Sequence, residues 1–269
     1  MSILSSISTG LRLSLRTNFL WLASGTLVAL ALATSLSAQF SGRQPATVAL
    51  DVGLSMVRLL LPLVLTLTTQ DLLSREFDRR YFLNTLSYPH SRHSFLLGRF
   101  LATAILSLGL LVLLAGALAL LTWSTGKDYA QTNPISLGPP YIITITFIGL
   151  DILLLSALAT FIAVVASTPS FVLLGTIGFM LIARSFSSII ELLMHNSYVV
   201  EQPESYRSSL TMLGYLLPDL GALDVREIAL YGKMQFLSAD WGALVISTLA
   251  YVIGLLALAT WALNRKHFS

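Results

Sequence analysis

The chain has 269 residues, of which 55% are hydrophobic and 11% charged, with a mean hydropathy of +0.79, and this composition excludes an ordinary soluble domain in favour of an integral membrane protein. Cysteine is absent, which excludes disulfides, thiolate catalysis, cysteine-ligated zinc and iron-sulfur clusters. A formal net charge of +3 is the ordinary basic excess of a membrane protein and makes no case for nucleic acid.

Residues 2–16 place Ile3, Ile7, Leu11 and Leu15 at four-residue spacing with Arg12 and Arg16 on another face, the pattern of a helix lying in the membrane surface. A charge-free apolar run from Phe19 to Ala38 follows, about the 20 residues needed to cross ~30 Å of hydrocarbon. A rival reading is a cleaved signal peptide, because Leu36-Ser37-Ala38 resembles a small-residue cleavage site. The long amphipathic lead and the length of the apolar run favour a retained span.

The second span runs from about Leu50 to Leu73 with Pro62 near its middle, where a missing N–H and a ring clash predict a kink. Next comes the densest cluster of charge in the sequence, Ser74 to Arg99, in which Pro89 would end a helix. If it is helical, Phe77, Tyr81, Phe82 and Leu86 fall on one side and Arg75, Asp78 and Arg79 on another, the character of a docking surface. The third span is Phe95 to Thr122 and the fourth Tyr141 to Ala166. Thr168-Pro169-Ser170 turns the chain into a fifth, Phe171 to Leu193, and the sixth is Trp241 to Leu263. Between the last two, 195–240 holds apolar stretches too short to cross, which read equally as a re-entrant helix or an amphipathic cap.

Six spans put Arg12, Arg16, Arg75, Arg79, Arg80, Arg92, Arg99, Arg265 and Lys266 on one side, against Arg43, Lys127, Arg207, Arg226 and Lys233 on the other. The positive-inside rule then places both termini in the cytoplasm. Trp21, Trp123, Trp241 and Trp261 each fall near a span end, where indole prefers the headgroup level. The expected fold is all-α, one transmembrane domain over 1–269, with an interfacial helix at 1–17, a coupling segment at 74–92 and an outer segment at 195–240.

Catalytic signatures are missing. There is no G-x-x-x-x-G-K-S/T phosphate loop, no H-E-x-x-H and no G-x-S-x-G, so the chain is not expected to be an enzyme or to hold a metal or cofactor. His90 and His93 have no neighbouring third ligand and read as solvated interfacial groups. The unusual feature is charge inside the spans: Arg58, Asp151, Arg184 and Glu191. A charge at the bilayer centre costs at least ~2.5 kcal/mol, so these residues are expected to face the bundle interior and pair. Arg58 and Asp151 lie about 12 and 15 Å deep at 1.5 Å per residue, within a helical turn of each other. Arg184, rising from the opposite side, competes for the same carboxylate. Such a group serves either as a static clamp between helices or as a lined pathway or moving ion pair.

The docking stretch resembles the cytoplasmic loop of type-2 ATP-binding-cassette (ABC) permeases, through Arg75-Glu76-Phe77, Leu86-Ser87-Tyr88-Pro89-His90-Ser91-Arg92 and Phe95-Leu96-Leu97-Gly98-Arg99. Leu217-Pro218-Asp219-Leu220-Gly221-Ala222-Leu223-Asp224 is similar to the element before that family's last span, and Asn264-Arg265-Lys266-His267-Phe268 to its basic-aromatic ending. Two positions depart: Arg80 stands where a small residue is usual and Leu83 where an acidic one is common. The resemblance implies a permease subunit of a bacterial inner-membrane exporter, paired with a second copy. A separate soluble ATPase subunit, which holds the ATP, would dock on Arg75, Glu76, Phe77, Arg79, Arg80 and Pro89. The alternative is a mechanical or assembly subunit that transmits ATPase motion to a partner protein outside the membrane without moving a substrate.

Overall fold

A computed structural model of the chain describes residues 3–42, 44–74, 92–126, 135–166, 168–195, 218–237 and 239–265. Among them every regular element is helical. In chain order these are α1 (Ile3–Arg16), α2 (Phe19–Phe40), α3 (Pro45–Thr69), α4 (Arg92–Gly126), α5 (Pro139–Val165), α6 (Pro169–His195), α7 (Arg226–Tyr231) and α8 (Trp241–Arg265).

Among the described residues, five helical stretches are long and apolar enough to cross a membrane: Phe19–Phe40, Pro45–Leu73, His93–Gly126, Pro139–Val165 and Trp241–Arg265. The expected fifth of six spans falls on α6, of which the described side chains cover the apolar stretch Pro169–Ser185. The side chains are arranged inside out relative to a soluble protein. Val28, Val112, Leu120, Ile142 and Ile246 face outward, whereas Thr66, Thr69, Thr103, Thr160, Arg58 and Asp151 are buried. All four tryptophans are more than half exposed and lie in the first or last turns of their helices, as a membrane-interface belt requires. These features define a multi-pass membrane protein.

α5 is the most enclosed of the five spans, and α2 and α8 are the least. α2 and α4 both pack on α3, while α8 lies chiefly along α5. Two close approaches fix this arrangement. On Gly53 of α3 a Cβ would come within 2.1 Å of Leu118 Cδ1 of α4, and Leu118 is itself fully buried. Tyr141 of α5 donates from its hydroxyl to the Ala115 carbonyl of α4 at 2.7 Å.

α1 sits beside the start of α4, at what we call the proximal end of the bundle. The spacing of Ile3, Ile7, Leu11 and Leu15 predicts a helix lying in the membrane surface, and its contact with α4 includes close approaches of small residues. A Cβ on Gly98 would meet Ser6 Cβ at 2.5 Å, and one on Gly10 would meet Ala102 Cβ at 2.8 Å. Ser14 is buried on this side, while Leu4 and Leu15 point away. The reason is steric: two helix backbones approach this closely only where neither carries bulk.

α3 carries Pro62 in its interior, as expected, and remains one helix through it. Thr66, Thr68 and Thr69 donate their hydroxyls back to the carbonyls of Pro62, Leu65 and Leu65, contacts that bend a helix. The helix then widens into a π turn at Gln70–Ser74. At the distal end, the outer segment returns to the bundle. Leu220, Leu223, Val225, Ile228 and Ala229 are buried in the common core, and α7 lies against α3 and α5. Thr144 of α5 donates to the Val225 carbonyl at 3.3 Å, and Gly232 ends α7 in the left-handed conformation at φ 65°.

Candidate functional site

The structure brings Arg58, Asp151 and Arg184 together. From the starts of their helices, Arg58 is about 20 Å along α3 and Asp151 about 18 Å along α5, so the two meet at one level. Asp151 is 1% exposed. The shared carboxylate is divided unequally: Arg184 NH2 lies 2.5 Å from Asp151 Oδ2, and Arg58 NH2 lies 3.9 Å from the same oxygen. The expected competitor is therefore the closer partner.

Arg58 has its principal carboxylate elsewhere. Its NH1 pairs with Asp224 Oδ2, and its NH2 donates to the Leu220 carbonyl at 3.3 Å. Both acceptors belong to the outer segment. Side chains on a helix lean toward its N-terminus, and the N-terminus of α3 is distal, so Arg58 leans toward the segment packed there. Asp224 Oδ2 also lies 3.5 Å from Arg226 Nε. Arg226 NH1 in turn reaches Asp51 Oδ1 at 3.2 Å and Ser55 Oγ at 2.6 Å. The result is a chain of alternating charge, Arg184, Asp151, Arg58, Asp224, Arg226 and Asp51. It runs from the bundle interior to Asp51, whose side chain is 47% exposed.

Pro62 has a part in this arrangement. Proline at this position removes the N–H that would bond the carbonyl four residues back, which is that of Arg58. Arg184 NH1 donates to that carbonyl at 3.1 Å. One guanidinium thus binds the carboxylate of α5 and the proline-freed carbonyl of α3, tying three helices at one point. Among the described residues Arg58 Nε, Arg184 Nε, Asp151 Oδ1 and Asp224 Oδ1 have no hydrogen-bond partner.

A separate apolar groove of about 580 Å³ lies between α4 and α5, lined by Leu108, Val112, Gly116, Ile145, Gly149 and Leu153 among others. Gly149 and Leu153 are two residues to either side of Asp151, hence about 200° around α5 from it, so the groove and the charge chain occupy different faces. Among the described residues no group of His, Asp and Glu is arranged to hold a metal ion.

The docking residues Arg75, Glu76, Phe77, Arg79, Arg80 and Pro89 lie outside the described residues. Glu191 is on α6 about two turns beyond Arg184, and its side chain lies outside them too. The residues that sequence reasoning missed are Asp224, Arg226 and the Asp51–Ser55 pair. One signal was present: Asp51, Ser55 and Arg58 stand at i, i+4 and i+7, a polar stripe on one face of an otherwise apolar span. No protein-family model matches this chain, and no curated protein matches it.

Proposed function

We propose that the chain is the membrane-spanning permease subunit of an ABC exporter in a bacterial inner membrane, with α6 as the fifth of six spans, both termini cytoplasmic and a second copy as its partner. The ATPase and its ATP belong to a separate soluble subunit. The observation that carries this reading is how α1, α3 and α4 meet at the proximal end. α3 ends in a π turn at Gln70–Ser74, packed against α1, α5 and α6, immediately before the charged stretch that resembles an ATPase-docking loop. α4 begins just beyond that stretch and is locked to α1 through Gly98 and Gly10. A push on residues 75–91 would therefore reach three helices at once. Pairing of Arg184 with Asp151 supports α6 as a span, because it offsets the cost of placing Arg184 at membrane depth.

Replacing Glu76 and Phe77 together by alanine tests the reading. The expected result is a folded permease whose associated ATPase no longer responds to it; unchanged association together with unchanged activity would sink the docking assignment. A second outcome separates transport from the mechanical alternative. If the complex turns over ATP while only a partner protein outside the membrane changes state and nothing crosses, the mechanical reading replaces export.

A further inference from the structure

We propose that Arg58 and Arg184 form an anion-binding site that the outer segment occupies with a surrogate of the ligand. Two guanidinium groups and one carboxylate meet at Asp151, so these span residues alone carry an excess positive charge. An isolated charge at this depth costs at least ~2.5 kcal/mol, and the carboxylate that offsets it is Asp224, which is not on a span. Asp224 and Arg58 differ sharply in exposure, at 29% against 9% for their side chains. The anionic half of the pair is thus the half nearer the surface.

The geometry of the contact specifies the ligand class. Arg58 meets the segment with two nitrogens, NH1 against Asp224 Oδ2 and NH2 against the Leu220 carbonyl oxygen. These two oxygens stand where the two oxygens of one carboxylate or phosphate stand in a forked guanidinium contact. Here they come from different residues, one of them an uncharged carbonyl, whereas a single bidentate anion would set two of its own charged oxygens on the fork. Arg58 Nε and Arg184 Nε have no partner while the segment is seated, leaving donors that a larger anion such as phosphate can use. Lifting Leu220 and Asp224 exposes this fork toward the distal end. The ligand is accordingly a carboxylate or phosphate group, either free in solution or carried on a lipid headgroup.

The test needs no ATPase, so its outcome is independent of the coupling reading. The full chain, as wild type, Asp224→Asn and Arg58→Gln with Asp224→Asn, is purified in detergent. Each is exposed to phosphatidylglycerol and phosphatidylcholine of the same acyl chains and to radiolabelled inorganic phosphate. Bound lipid is read by native mass spectrometry and bound phosphate by equilibrium dialysis. Asp224→Asn is expected to retain the anionic species about tenfold better than wild type, a difference of ~1.4 kcal/mol, and the double variant to lose that gain. Retention of phosphatidylglycerol alone identifies a headgroup site, and retention of inorganic phosphate a site for free anions. Retention of neither, or equal retention by the double variant, overturns the proposal. The wild-type chain gives a second test that requires no substitution. Amide hydrogen exchange across 218–231 should accelerate when phosphatidylglycerol replaces phosphatidylcholine in nanodiscs, or when phosphate replaces chloride at equal ionic strength; unchanged exchange under both replacements contradicts the proposal.

Discussion

Removing the Asp151 carboxylate is the sharpest perturbation of the buried charge chain. In Asp151→Ala, Arg184 loses its 2.5 Å contact and Arg58 its 3.9 Å contact, leaving two guanidinium groups facing each other inside the bundle. Breaking a buried pair from one side costs about 3–5 kcal/mol, which for a chain of this size lowers the unfolding midpoint by roughly 6–20 °C. The two arginines should not restore stability equally. Coulomb attraction falls as the inverse of distance, so the Arg184 contact is roughly one and a half times the stronger, and Arg58 keeps Asp224 after Asp151 is gone. Adding Arg184→Ala to Asp151→Ala should therefore recover about 2–3 kcal/mol, while adding Arg58→Ala should recover less than about 1 kcal/mol and leave Asp224 with only its 3.5 Å contact to Arg226. The assay is a double-mutant cycle on detergent-solubilised protein, read as thermal midpoint and as the monodisperse fraction on size-exclusion chromatography. Additive losses in the Asp151–Arg184 cycle, or a better rescue by Arg58→Ala, would refute the unequal division of the carboxylate.

Gly98→Ala puts a methyl group 2.5 Å from Ser6 Cβ and 3.3 Å from the Ser6 backbone, so α1 must shift, at about 1–3 kcal/mol; faster amide exchange in α1 with α5 unchanged is the expected signature. Pro62→Ala returns an N–H to the Arg58 carbonyl in competition with Arg184 NH1. The Arg184 link should weaken by about 1 kcal/mol even as α3 gains a backbone bond, and the Asp151–Arg184 coupling energy measures this. Because α1 is packed on α4 and α2 on α3, the mature protein should keep residues 3–38; intact-mass measurement after membrane extraction checks this, and an N-terminus at Gln39 would contradict it.

The spans were legible because apolar runs are long and few forces compete with them. Phe19, Trp241 and the region of Pro139–Tyr141 open helices in the structure where the hydropathy places them. Depth arithmetic from helix starts also brought Arg58, Asp151 and Arg184 to one level, since rise per residue is constant within a helix. What it could not decide was which arginine sits closer, a matter of helix rotation and side-chain lean. Asp224 was out of reach for another reason. It lies in a segment without periodicity, so no sequence pattern gives its depth, and it reaches Arg58 only because Leu220, Leu223 and Ile228 are buried against the bundle. For α1 the four-residue apolar spacing marked a surface-lying helix but not its contact with α4, which includes Ser6 and Gly10, because close backbone approach needs residues without bulk there.

Whether a separate ATPase drives this bundle through residues 75–91 is read from affinity purification of the tagged full chain out of its own host membrane. A soluble subunit carrying a phosphate-binding loop is expected to accompany the wild-type chain in near-equal amounts, and to be lost or uncoupled when Glu76 and Phe77 are both alanine. Recovery of the chain without any ATPase, under conditions where it stays folded and monodisperse, would contradict the proposed coupling.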